Sequence, residues 1–374
     1  MTGRHPVSLR VPLFFFVSLE GDVAIGQPSP YSKLQMINVS RFCDSAANLH
    51  SFRLAIPLLI VLLSPVIVCS QENDSFPKKT GALPLSAQHP MDELKPTAEF
   101  PITGQPDWLA VTDDALWVSS SNVNHVVRMD AKSNTPGATI TVKKPCSGLA
   151  VDFGSLWIPS CGDHKLFRAD VKSGAIQATV AVGPADSEGG ITTGAGSVWL
   201  VSSGDSELDR IDPSTNSVKA RIQLPKGSFN PIFAGDSVWI ASNQGNTLIR
   251  VNPSTNEVVS STPIGPKPRF LTVGEGSIWV LNQGDGTISR VDASTGKLLA
   301  TIPAGIPGLG GEIAYGGGSV WATVFGYPIT RIDPAQNKVV EQWVGKGGDS
   351  IRYAHGSVWL TFLMGSKVWR IDLP

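Results

Sequence analysis

Carboxylates, amides, guanidinium groups and aromatic rings gather at one recurring position of this chain. That position is the dipeptide ten and nine residues before each of seven evenly spaced tryptophans: Asp107-Trp108, Ser147-Gly148, Gly189-Gly190, Phe229-Asn230, Arg269-Phe270, Gly311-Glu312 and Asp349-Ser350, with Glu188 one place earlier. Glu188, Asn230, Glu312 and Asp349 carry the hard oxygen donors that a divalent cation takes. No His or Cys joins them and nothing in their spacing fixes a coordination geometry, so no metal or cofactor is expected. Trp108, Phe229 and Phe270, with Phe325 and Tyr327, supply aromatic surface beside polar groups, which suits a small polar–apolar ligand or a peptide segment. Arg352 interrupts a register otherwise filled by Ala110, Ala150, Thr192, Ile232, Thr272 and Ala314. A cation there needs a partner, and Asp349 or Glu312 is expected to provide it. Asp107, Trp108, Glu188, Phe229, Asn230, Arg269, Phe270, Glu312, Asp349 and Arg352 are therefore the candidate ligand-contacting residues.

Other chemistries are poorly provided for. His89, His125, His164 and His355 fall at unrelated places, with no Ser/His/Asp spacing, no His cluster and no phosphate-cradling glycine motif. With 30 basic and 31 acidic residues and no basic stripe, nucleic-acid binding is not expected.

The elements that position these residues follow from the repeat itself. Trp117, Trp157, Trp199, Trp239, Trp279, Trp321 and Trp359 recur at a period near 40, each trailed by Arg128, Arg168, Arg210, Arg250, Arg290, Arg331 or Arg370. Within the fifth repeat, Arg269–Val273, Ile278–Asn282, Thr287–Asp292 and Lys297–Ile302 are short β-branched runs separated by Gly, Asn, Asp and Ser turns, which reads as four antiparallel strands. Seven such repeats predict an all-β, seven-bladed β-propeller. The last repeat stops at Arg370-Ile-Asp-Leu-Pro374, short of a fourth strand, while Thr97–Thr103 is an orphan strand upstream of the first. The N-terminal strand is expected to complete the last blade and close the ring. The tryptophans are too regular to be a site and should pack between blades, with the arginines over aromatic faces or paired with the following Asp212, Asp292 and Asp333. Turns such as Gly274-Glu-Gly-Ser277 are nearly uniform on one face. The divergent loops, among them Ser119–Asn122, Ser202-Ser203, Ser242–Gln244, Asn282-Gln283 and Val324–Tyr327, fall on the other, where function resides.

Ahead of the propeller, Leu54–Val68 is an apolar run following Arg41 and Arg53, short for a membrane span and broken by Pro57 and Pro65. Residues 36–70 read as a cleaved signal peptide ending at Ser70, with 1–35 an over-extended start upstream of Met36 and 71–95 a polar tether before a propeller spanning 96–374. An extracytoplasmic location, periplasmic or secreted, follows. The alternative is a lipid on Cys69, the one route by which a membrane would be a partner. Cys146 and Cys161 lie symmetrically about Phe153-Gly154, so a tight turn there would bring them together across adjacent strands as a disulfide.

The strings Gly276–Asp292 and Gly196–Leu200 with Arg210–Pro213 resemble the repeats of the streptogramin lyase (virginiamycin B lyase-like) propellers, and Trp279-Val-Leu-Asn282 is similar to the YVTN-type surface and periplasmic propellers. The resemblance spans residues 97–374 and implies the seven-bladed fold. For the lyases it also implies opening of a macrocyclic lactone by elimination, with a channel-mouth His and Glu and a magnesium ion. In that pattern the Glu stands three residues after a tryptophan. Here those positions hold Ser120, Ser160, Ser202, Ser242, Asn282, Val324 and Phe362, and no His begins an innermost strand. The expected function is a ligand- or protein-binding module working through the channel mouth. The alternative is a lyase-like or metal-dependent lactone-opening enzyme without the usual His/Glu pair.

Overall fold

The computed structural model describes residues 76–373 except Ser187, Ser203 and Asp205; the expected start, the signal segment, Cys69 and residues 71–75 lie outside the described residues. Seven four-stranded antiparallel sheets form the ring, each running from an innermost first strand to an outer fourth. Innermost strands meet their neighbours all the way round, including Ile351–Ala354 of blade seven against Pro106–Val111 of blade one. The closure device is as the sequence predicts. Ala98–Pro101 pairs antiparallel with Lys367–Ile371, setting Ala98 opposite Arg370 and Phe100 opposite Val368, and so supplies the fourth strand of blade seven.

The repeated tryptophans are fully buried between blades. The indole N–H of Trp157, Trp199, Trp239, Trp279, Trp321 and Trp359 donates to the carbonyl five residues earlier, which pins the second strand to the first. Each arginine from Arg168 to Arg370 lies over the tryptophan of its own blade, about 5 Å from the ring centre. Its Nε donates to the serine that opens the second strand, as Arg290 does to Ser277 at 2.9 Å. Its Nη1 reaches the next blade's outer turn: Arg210 to the Pro253 carbonyl and Asn256, Arg290 to Pro334 O and Asn337, and Arg370 across the seam to Ala131 O and Asn134. Arg331 pairs with Glu341 instead, because blade seven takes its fourth strand from the other end of the chain and has no such turn. The aspartates after the arginines serve their own turns: Asp212 accepts from Ser214, and Asp292 from Ser294 and Thr295. Blade one departs from the pattern. Ala115 stands where the other blades have serine, and the buried Arg128 Nε is left without a partner while its Nη2 pairs with Asp114.

The tether reading is corrected for residues 76–95, which dock on blade six. His89–Pro90 adds a parallel fifth strand beside Lys338–Val344, and Met91 is buried. A buried amide, Gln342, takes part in holding the segment. Its Oε1 accepts the N–H groups of Ala82 and Leu83 at 2.7 and 3.2 Å, and its Nε2 donates to Ala304 O and Thr330. Thr80 and Gly81 then donate to the Gly305 carbonyl. Cys146 and Cys161 form the expected disulfide, with Cα atoms 6.0 Å apart.

Candidate functional site at the channel mouth

On the face opposite the uniform turns, the first strands leave their ladders early. Pairing with the second strand slips at Pro106/Leu109, Phe229/Ile232 and Pro268/Phe270, and such bulges re-aim side chains. In blades two, three, six and seven the first strands begin only at Ala150, Ile191, Ile313 and Ile351. Several residues just before them take left-handed backbone, including Ser147 (φ 66°), Gly148 (85°), Gly190 (85°) and Gly311 (84°). Gly190 is obligatory for a further reason: a Cβ there would stand 2.6 Å from Asn230 Cα. Amides freed from the ladder are caught by second-strand hydroxyls, Trp108 N by Ser119, Glu312 N by Thr323 and Ser350 N by Thr361.

These departures enclose a cavity of about 120 Å³ with Trp108, Leu149, Ile191, Thr192, Asn230, Ile232, Phe270, Leu271, Glu312 and Arg352 among its walls. Trp108 and Phe270 pack against one another in its wall, ring centres 6.1 Å apart and tilted by 56°. Glu312 Oε1 pairs with Arg352 Nη2 at 2.5 Å, and Arg352 Nη1 donates to the Ile351 carbonyl. The partner of Arg352 is thus Glu312, while Asp349 accepts the Gly311 N–H at 3.0 Å. Two polar atoms of lining residues are buried, out of reach of solvent and without a protein partner: the indole Nε1 of Trp108 and Oε2 of Glu312. Each belongs to a residue only 5% exposed. A buried donor and a buried acceptor left unpaired each forfeit roughly 1–3 kcal/mol, a cost that this wall carries.

Of the ten candidate residues, Trp108, Asn230, Phe270, Glu312 and Arg352 line the cavity. Arg269 stands behind it, 3.7 Å from the Phe229 ring centre and 4.0 Å from the Glu188 carboxylate, and its carbonyl accepts from Asn230 Nδ2. Asp349 is buried in the wall, and Asp107 is half-buried away from the lining. The aromatic rim expected from the sequence is corrected in one respect: Trp108, Phe229, Phe270 and Tyr327 are buried, and Phe325 alone of the five is exposed. The bulges turn Trp108 and Phe270 inward, where both join the hydrophobic core. Among the described residues no three His, Cys, Asp or Glu side chains converge as metal ligands.

Sequence reasoning missed Leu149, Ile191 and Leu271, ordinary strand residues that a bulge or early strand end brings to the wall. It also missed Asp209, buried against the Ser202 hydroxyl and 3.2 Å from Arg221, where burial raises its pKa above the usual carboxylate value. A second, larger hollow of about 1000 Å³ lies between blades six and seven, walled by Met91, Phe325, Phe362, Met364 and Trp369. Its one sequence signal was Phe362, standing where most repeats place a serine or asparagine.

The fold is that of the streptogramin lyases. A streptogramin B lyase structure superposes with a TM-score of 0.59 at 21% identity, covering 72% of this chain and 94% of that one. A catalytically inactive virginiamycin B lyase from Staphylococcus aureus, solved with quinupristin, gives 0.63 at 19% identity over 74% and 98%. Hydrazine synthase of Kuenenia stuttgartiensis is as similar in shape, 0.61 at 14% identity over 74% and 97%. Proteins as different as a lyase and a hydrazine synthase share this ring, so the likeness defines the scaffold and leaves the chemistry to the site. No protein-family model matches the sequence, and no relative is found among the curated proteins.

Proposed function

We propose that this protein is an exported β-propeller that binds a small molecule through its channel mouth. The observation that carries the reading is the mouth cavity itself, where the Glu312–Arg352 ion pair and Asn230 stand beside Ile191, Ile232, Phe270 and Leu271. The disulfide on the same face fits an oxidising compartment, and membrane attachment would come only through a lipid on Cys69. Neither nucleic acid nor a metal ion is part of the proposal.

The test is a fluorine-detected NMR screen of a fragment library against the protein, repeated on Phe270→Ala and on Asp236→Ala/Glu275→Ala in the opposite turns. Fragments should bind the parent and the turn variant alike and lose affinity for the mouth variant by about ten-fold or more. Binding that survives the mouth change and vanishes with the turn change would place the site on the other face.

A further inference from the structure

The hollow of about 1000 Å³ between blades six and seven lies apart from the mouth cavity and shares no lining residue with it. Phe362 on its wall belongs to a wider departure from the repeat. In blades one to five the exit from the second strand opens on Ser120, Ser160, Ser202, Ser242 or Asn282, and each of these side chains makes a hydrogen bond. In blades six and seven the same turns read Val324-Phe325 and Phe362-Leu363-Met364. The departure is confined to the two blades that flank the hollow, and it puts apolar surface into solvent: Phe325 is 42% exposed and Met364 84%. Exposed apolar side chains gathered round a recess mark a ligand-binding groove.

The wall sets the chemistry of the occupant. The Phe362 ring packs on Trp369 with centres 4.3 Å apart, and Gly347 permits this, since a Cβ there would stand 2.2 Å from the Phe362 ring. Gly326, Gly345 and Gly348 add wall without side chains, so the space stays open. The charges on the lining balance. Lys367 is held by Glu99 at 2.9 Å, and the Trp369 indole N–H donates to the same carboxylate at 2.7 Å. That leaves Asp92 and Lys346, one of each sign. A charged ligand would be drawn to one of them and repelled by the other while losing its hydration. The thioethers of Met91 and Met364, together with Phe325, Phe362 and Trp369, favour the ring faces of an aromatic ligand over an aliphatic chain. The volume stands at the top of the roughly 300–1,000 Å³ range of small-molecule sites. From this we infer that the hollow binds a neutral, multi-ring aromatic molecule, independently of the mouth.

The experiment titrates the intact protein with N-phenyl-1-naphthylamine, which is neutral and fluoresces in apolar surroundings, and with 8-anilinonaphthalene-1-sulfonate, the same rings carrying an anionic group. The neutral probe should saturate at one site per chain, with the sulfonate at least about ten-fold weaker. 2-Naphthol should displace it, and decahydro-2-naphthol, the saturated ring pair, should do so about ten-fold less well. Phe325→Asn/Met364→Gln gives the two turns the residues that blade four has at Asn243 and Gln244. Both positions are exposed, so the melting temperature should hold while affinity for the neutral probe falls about ten-fold. Phe362→Ser, the residue of blades one to four, should weaken it by a similar factor, and the exposed pair carries the test if that variant loses the fold. Phe270→Ala, in the mouth, should leave the titration unchanged. Equal or tighter binding of the sulfonate, equal displacement by the saturated alcohol, or affinity that survives the hollow variants would overturn the inference. Affinity lost in Phe270→Ala would place the probe in the mouth and overturn it as well.

Discussion

The two faces of this ring are made from the same seven repeats and finished in opposite ways. On the turn face most arginines repeat one task, bridging their own tryptophan, a serine and the next blade's turn, and at Arg370 the bridge crosses the seam where the chain ends meet. On the mouth face few contacts repeat. Bulges, early strand ends and left-handed residues differ from blade to blade, and two buried polar atoms stay open. Periodic contacts add the same stabilisation round most of the ring and leave little that is distinctive to recognise. Aperiodic ones forgo some stability and create a particular shape, the usual division between a scaffold and the site grafted on it.

Breaking the periodic side should cost the most. Deleting residues 96–104 removes the outer strand of blade seven together with buried Phe100 and Ile102, uncovers the core they pack against and leaves Lys367–Ile371 with an open edge. The melting temperature should fall by about 10 °C or more, or the protein should aggregate; an unchanged melt would refute the closure strand. Trp279→Ala should cost about 3–5 kcal/mol by denaturant titration. Arg290→Ala, which loses Ser277, Pro334 O and Asn337, should cost about 2 kcal/mol while leaving fragment binding intact.

Two aspartates sharpen the contrast through pH. Hydrogen bonds from the Ser294 and Thr295 hydroxyls, with their backbone amides, hold Asp292 well below the usual carboxylate range. Its folded pKa is depressed, so its contribution is present at neutral pH and is lost as pH falls through the acid range. Asp209 is shifted the other way by burial. Its folded state favours the protonated acid, so its cost appears as pH rises above the ordinary carboxylate value. Thermal melts of Asp292→Asn against the parent should show a deficit at pH 7 that shrinks toward pH 3. Asp209→Asn should fare better relative to the parent at pH 7 than at pH 3, and the reverse ordering would contradict both assignments. The smallest expected effect is a gain. Ala115→Ser restores the acceptor that Arg128 Nε lacks and should stabilise by about 1 kcal/mol.

The ring was legible because Trp, Arg and the turn residues recur at a fixed period and because Thr97–Thr103 matched the strand missing after Arg370. The disulfide followed from the symmetry of Cys146 and Cys161 about one turn, and Glu312 was among the expected partners of Arg352. What escaped notice depends on backbone departures that no side-chain pattern encodes. The bulge at Pro106/Leu109 buries Trp108 instead of leaving it on the rim, and the docking of residues 76–95 rests on the Gln342 amide, the Gly305 carbonyl and the pairing of His89–Pro90, none of which a side-chain period marks. The open atoms of Trp108 and Glu312 were invisible for the same reason, since an unmet hydrogen bond is a property of the assembled wall.

The division between faces is tested most directly by crystals of the propeller soaked with a diverse fragment set. Bound fragments should cluster in the mouth cavity, against Asn230, Phe270, Leu271 and Arg352. Fragments gathered on the Arg–Asn turns, or scattered with the mouth empty, would contradict the account.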